Sequence, residues 1–247
     1  RLRSAHLDGF FSLRLGGDVL NKSFGKMGAS QSVEMPGKVK VTYFDMNGGR
    51  GQPIRLALAM GGINFEDERF KFPQFNGFKE KAPMGSFPTM EIDGYVFCQT
   101  AAMLRYCGKL ANLYPTDAIA ALKVDMMIDC LMEINDGIQP TIFEKDENKK
   151  KEMRATLNTE KLPKLLGNIE KCLNRDSSEY TVGDKPTIAD ILIYCQNHWI
   201  SCGILDGIDK DLSSKYPKFQ GIAKKMDKHP KIKEWNEKTS FKSCFDE

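Results

Sequence analysis

Apolar and polar residues alternate through Val39-Lys40-Val41-Thr42-Tyr43-Phe44, and this period of two predicts a first strand. Between Arg50 and Gly61 the pattern changes. Ile54, Leu56, Leu58, Ala59 and Met60 predict a helix stopped by Gly61-Gly62. Phe65 to Phe70 reads as a second strand, and the Pro-, Gly- and Phe-rich stretch 72–86 as a loop. Two strand-like runs, 87–92 and 95–98, flank Asp93-Gly94, a pair that favours a tight hairpin turn. A helix is expected over 99–107, with Gly108 just past its end. From Thr116 onward the period is helical. Asp117 to Gln139 carries Ile119, Leu122, Met126 and Cys130 at helical spacing, and further helices are predicted over 148–174, 187–202 and 215–228. The fold class is therefore α/β followed by all-α. The α/β domain covers 38–115 and the all-helical domain 116–247, behind an N-terminal extension, 1–37, that has no sustained period and is expected to be disordered.

Composition narrows the chemistry. The chain has 247 residues, 41% hydrophobic and 28% charged, as in an ordinary globular protein. With 36 basic and 33 acidic side chains the net charge is +3, which argues against nucleic acid as a partner. No apolar run is long enough to predict a transmembrane helix. Seven cysteines, none in C-x-x-C spacing, read as free thiols in a reducing, cytoplasmic setting. With only three histidines, no metal site is expected. Met27-Gly28-Ala29-Ser30-Gln31-Ser32 fits the myristoylation pattern, so membrane contact is expected only if Met27 initiates the chain and Gly28 is acylated.

Five short pieces, in order, carry a resemblance. They are Thr42-Tyr43-Phe44 with Gly49-Arg50-Gly51; Gly85-Ser86-Phe87-Pro88; Glu91-Ile92-Asp93-Gly94; Gln99-Thr100-Ala101-Ala102-Met103-Leu104-Arg105-Tyr106; and Val182-Gly183-Asp184 with Thr187-Ile188-Ala189-Asp190. Together they resemble the cytosolic glutathione transferases, closest to the sigma class, over nearly all of 38–247. The resemblance implies a thioredoxin-like domain followed by a helical domain. It also implies glutathione as cosubstrate, a small apolar electrophile as second substrate, and a homodimer.

It further implies roles for particular residues. Tyr43 would donate its hydroxyl hydrogen bond to the glutathione sulfur. A thiol near pKa 8.5 is mostly protonated at neutral pH, and a donor aimed at sulfur favours the thiolate nucleophile. Taken alone, a strand tyrosine is better explained by core packing. Arg50, placed at the start of the helix, would add a positive charge near Tyr43; without the resemblance it is a surface arginine. Phe87-Pro88 resembles the cis-proline of the thioredoxin fold, whose preceding backbone pairs with the cysteinyl unit of glutathione. Gln99 and Thr100 open a helix directly after a strand, where free N–H groups and the helix dipole suit the γ-glutamyl carboxylate; Thr100 would serve equally as a plain cap. Lys79 stands at the position that reaches the glycyl carboxylate, beside Phe75 where a tryptophan is usual; a surface lysine is the other reading. Glu133 would reach the γ-glutamyl amine across a dimer. Asp125, Asp129 and Glu133 also share one helix face as a solvated acidic stripe would. Met126, Met127 and Met132 would line a cosubstrate pocket or belong to the core. Thr187 and Asp190 form a capping box.

The function so implied is conjugation of the glutathione thiolate to apolar electrophiles, with peroxidase or prostaglandin isomerase activity as variants of the same chemistry. The alternative is a glutathione-binding structural protein, like the S-crystallins that resemble this class, or an interaction module.

Overall fold

The structure, a computed structural model, describes residues 35–245; residues 1–34 of the extension, the Gly28 pattern among them, lie outside the described residues. β1 (Val39–Phe44) places Val39, Val41 and Tyr43 on one buried side, as the alternation requires. α1 (Gln52–Met60) follows, starting with Pro53 in its first turn. β2 (Glu66–Phe70) lies parallel to β1. β3 (Thr89–Ile92) and β4 (Tyr95–Cys98) form the expected hairpin around Asp93-Gly94, both with positive φ. The sheet order is β2-β1-β3-β4, with β1 and β3 antiparallel. With a helix-rich second half, this is the thioredoxin-like and all-helical arrangement expected.

Two expectations in this half need correction. The stretch 72–86 is not all loop: a 3-10 turn, Phe72–Gln74, leads into α2 (Phe75–Lys79). Gly108 does not lie past a helix end, because α3 runs Thr100–Leu110 through it. A Cβ at 108 would come within 2.7 Å of the Ile188 methyl, so this glycine serves close helix packing rather than termination.

α4 (Ala118–Phe143) continues past Pro140, which falls in its last turn; there the Thr141 hydroxyl donates to the Ile138 carbonyl at 2.7 Å. Its apolar period has two sides. Val124, Met127, Ile128, Leu131, Ile134 and Ile138 are buried, whereas Ile119 and Leu122 are 63% exposed and Met126 42%. α5 (Glu147–Thr156) and α6 (Leu162–Leu173) make one continuous run through a widened turn at Leu157–Lys161, close to the predicted 148–174. α7 (Ile188–Ser201) is buried almost all round and is the central helix of this half. α8 (Pro217–Asp227) matches prediction, and α9 (Pro230–Lys238) was not foreseen.

Candidate active site

Strand register assembles the site. Thr42 faces Thr89, and Thr89 faces Cys98, on three neighbouring strands. The next residues outward are Tyr43 and Phe44, Phe87 and Pro88, and Gln99 and Thr100. All therefore meet on one rim of the sheet. The Phe87–Pro88 bond is cis, and the Phe87 ring lies 4.8 Å from that of Phe70. Gln99 has φ of 75° and an exposed side chain; Thr100 is buried as the first residue of α3. The junction is the strand-to-helix turn that the sequence predicts.

Tyr43 is 6% exposed, and its hydroxyl oxygen accepts a hydrogen bond from the Arg50 backbone N–H at 3.1 Å. Burial raises its pKa above the ordinary tyrosine value, while the Arg50 amide and the charges of Arg50 and Arg55 oppose the rise. The phenol thus keeps its proton at neutral pH. With its oxygen already accepting from an amide, that proton is the group it offers to a ligand.

Arg50 departs from expectation in one respect. It sits in the turn before α1 rather than in the helix. It meets the Tyr43 hydroxyl through its amide, and its guanidinium pairs with Asp136 and donates to Gln139 at 3.0 Å, both on α4. Its charge therefore acts on Tyr43 through space, while its side chain ties the turn to the helical half.

A second arginine, unforeseen from sequence, fixes the same turn from behind. Arg55 is fully buried. It donates to Asp67 at 2.7 Å and to the carbonyls of Met46 and Phe44 at 2.8 and 3.4 Å, and its guanidinium carbon lies 5.7 Å from the centre of the Tyr43 ring. Asp67 also accepts from Arg69 at 2.8 Å. Arg69 donates to Asn47 at 3.0 Å, and Asn47 donates to the Thr239 carbonyl at 3.4 Å. Residues 44–50 are thus clamped by β2, α1 and the C-terminal segment.

In front of Tyr43 lies a cleft of about 630 Å³. Its walls are largely apolar, with Phe44 and Phe72 from the first half facing Ile138, Phe143, Trp199 and Leu205 from the second. Phe72 bridges the halves, 5.7 Å from the Phe44 ring and 5.8 Å from Phe143. The arrangement can hold an apolar molecule beside a protonated phenol.

Sequence comparison decides the family. The glutathione S-transferase N-terminal domain matches residues 39–109 and its C-terminal domain 132–239. Glutathione S-transferase 1 of Ascaris suum is 30% identical over 203 residues, covering 79% of this chain and 94% of that one. The chain belongs to the glutathione S-transferase family. It is an enzyme, a glutathione transferase with glutathione as cosubstrate. The hematopoietic prostaglandin D synthase of Gallus gallus is 29% identical over 204 residues, 81% of this chain and 95% of that one. The solved prostaglandin synthase D of Nilaparvata lugens shares 31% identity at a TM-score of 0.73, covering 81% of this chain and 98% of that one.

The remaining predicted residues of the transferase fall in three places. Lys79 ends α2 with an exposed side chain, its ammonium 5.9 Å from the centre of the half-buried Phe75 ring. Glu133 is exposed on α4 and does not line the cleft. The acidic stripe is not simply solvated, because Arg105 donates to Asp125 at 2.6 Å and to Asp129 at 2.8 Å. Of the three methionines, Met127 is core, Met126 is exposed, and none lines the cleft. The transferase's cleft walls were missed. Phe72 carried only the signal of a phenylalanine-rich loop, Phe44 that of a strand end beside Tyr43, and Trp199 that of an aromatic on a predicted helix.

Proposed function

We propose that this transferase activates glutathione through Tyr43 and delivers the thiolate to an apolar electrophile held in the cleft. The observation that carries this reading is the Tyr43 hydroxyl: protonated, pinned by the Arg50 amide and facing the cleft. Residues 38–115 form the glutathione-binding domain in this reading and 116–247 the helical domain. The γ-glutamyl carboxylate takes the start of α3 at Gln99 and Thr100, where unpaired helix N–H groups attract an anion. The backbone of Phe87, beside Pro88, pairs with the cysteinyl unit, and Lys79 over Phe75 reaches the glycyl carboxylate. Arg50 supplies a fixed charge that lowers the energy of both thiolate and phenolate. Glu133 acts on the γ-glutamyl amine of a neighbouring copy in a homodimer. The thiol proton leaves to solvent, the sulfur pair forms a bond to the electrophilic carbon, and the leaving group departs or the adduct is protonated. The likeness to the two prostaglandin synthases supports a second activity at the same site, sulfur attack on a peroxide oxygen in which the O–O bond breaks and the departing alkoxide takes up a proton. A detoxifying, cytoplasmic, sigma-like role completes the proposal.

Tyr43→Phe tests it. Conjugation of glutathione to a chloro-nitrobenzene should fall about a hundredfold in kcat, the usual scale for one stabilising donor at a reacting atom. Glutathione affinity should change little. Activity needs thiolate, so the rate rises with pH through the bound thiol's pKa. Losing the donor moves that limb upward toward an ordinary thiol. An unchanged limb and rate would overturn the role of Tyr43.

A further inference from the structure

The cleft holds a cation that the proposed chemistry does not use. Arg154, on α5, lines the cleft and is only 5% exposed. Its guanidinium donates to two neutral acceptors, the Thr141 hydroxyl and the Asp206 backbone carbonyl, the latter at 3.1 Å. Among the described residues it forms no ion pair: every salt bridge of α5 is made by its lysines, Lys149 with Glu144 and Lys150 with Glu147. Burial draws the guanidinium below its ordinary pKa, and the Asp206 charge opposes this only through space. One turn earlier, Lys150 lines the same cleft, and its contact with Glu147 is loose at 3.5 Å. Residues four apart share a helix face, so the two cations stand together.

Arg154 has the Asp206 carboxylate nearby but no direct ion pair among the described residues, and the cost of its burial falls when an anion joins it. The neighbouring walls, Ile142, Phe143 and Leu205, are apolar. We infer that Arg154 and Lys150 form a carboxylate subsite, and that the second substrate is an amphipathic acid with an apolar body lying toward Tyr43. This rests on reading the cleft as the second-substrate site. Arg154 then sets specificity and takes no part in the sulfur chemistry. A guanidinium suits the carboxylate because its planar fork can offer paired donors.

Dodecanoate and its methyl ester make a matched pair of probes that differ by one charge. The fluorescence of Trp199, which lines the cleft, reports occupancy. Titrated into the full chain at neutral pH, both below micelle formation, the acid should bind about tenfold more tightly than the ester, the scale of one charge-assisted hydrogen bond. Arg154→Gln should remove that preference and Lys150→Gln reduce it severalfold, with the ester's affinity unchanged in both. The ester is thus an internal control for folding. If Arg154→Gln fails to fold, the wild-type ratio and the Lys150→Gln variant still decide. Equal affinity of acid and ester in the wild type would overturn the inference. So would variants that weaken both probes alike, since Arg154 would then only clamp α4 to the turn after α7. Glutathione is absent from the titration, so failure here is distinct from failure of the Tyr43 mechanism.

Discussion

A Cβ on Gly49 would come within 2.6 Å of the Tyr43 hydroxyl oxygen, and one on Gly51 would overlap the Tyr43 ring. Gly49 also has φ of +62°, a conformation that side chains rarely adopt. The tyrosine keeps its place because these two positions carry nothing. That part of the site was legible, since Tyr43 and Gly49-Arg50-Gly51 lie within one motif. Arg55 was not legible, because its partner Asp67 lies on the next strand and only the folded chain brings them together. His198 is a second residue whose state is set by surroundings. It is 8% exposed, its ring lies 4.4 Å from that of Phe241, and its Nδ1 has no hydrogen-bond partner. Burial pushes its pKa down to about 4, below the ordinary 6.5. The folded state thus holds neutral imidazole while the unfolded chain takes up a proton first. Its contribution to stability is full above about pH 6.5 and is lost as pH falls toward 4, on the order of 3 kcal/mol in all. Urea unfolding at several pH values should show this slope in the wild type and a shallower one in His198→Phe. Parallel slopes would place the acid sensitivity elsewhere.

Elements were legible where their signals are local. Thr187 and Asp190 lie three residues apart, and the capping box they predict is present: Asp190 accepts from the Thr187 N–H at 2.7 Å, and the Thr187 hydroxyl accepts from the Ala189 N–H at 3.3 Å. The sequence did not reveal that the other Asp190 oxygen accepts from both the N–H and the hydroxyl of Thr181, each at 2.7 Å. Burial raises the Asp190 pKa; these three donors, with the Thr187 hydroxyl that also donates to it at 2.9 Å, oppose the rise. Asp190→Ala would orphan buried donors as well as remove a cap, so it should cost about 3 kcal/mol. Urea denaturation should show that loss with glutathione affinity intact; wild-type stability would refute the assignment. α9 escaped prediction for the opposite reason. Its sequence is mostly charged, and only Ile232, Trp235 and Asn236 are buried. Its stability comes from tertiary contact, including Trp235 stacked 5.6 Å from Phe65, rather than from a readable stripe.

At the scale of the molecule, the unanswered feature is the outer side of α4. A helix that already buries Val124, Ile128 and Leu131 has no internal need for Ile119, Leu122 and Met126 on its solvent side. In sequence these three are indistinguishable from core positions, because periodicity reports that a face is apolar and not what covers it. β4, at the open edge of the sheet, adds exposed Tyr95 and Phe97, their rings 4.6 Å apart. Exposed apolar stripes of this kind mark association surfaces, and a stable one buries on the order of 1,600 Å² in total. Glu133 falls on the same helical line, eleven residues beyond Leu122, or close to three turns. A second copy seated on this stripe would bring Glu133 to the neighbour's site, as the proposed glutathione contact needs. Replacing Leu122 and Met126 together by Glu puts two charges into that interface and leaves the buried side of α4 untouched. Light scattering should then show the mass halved, with cooperative thermal unfolding retained. If Glu133 serves the neighbouring site, glutathione affinity should fall about tenfold with dissociation. A mass unchanged from the wild type would remove α4 as the dimer surface. A halved mass with full affinity would keep the surface and confine each glutathione site to a single copy.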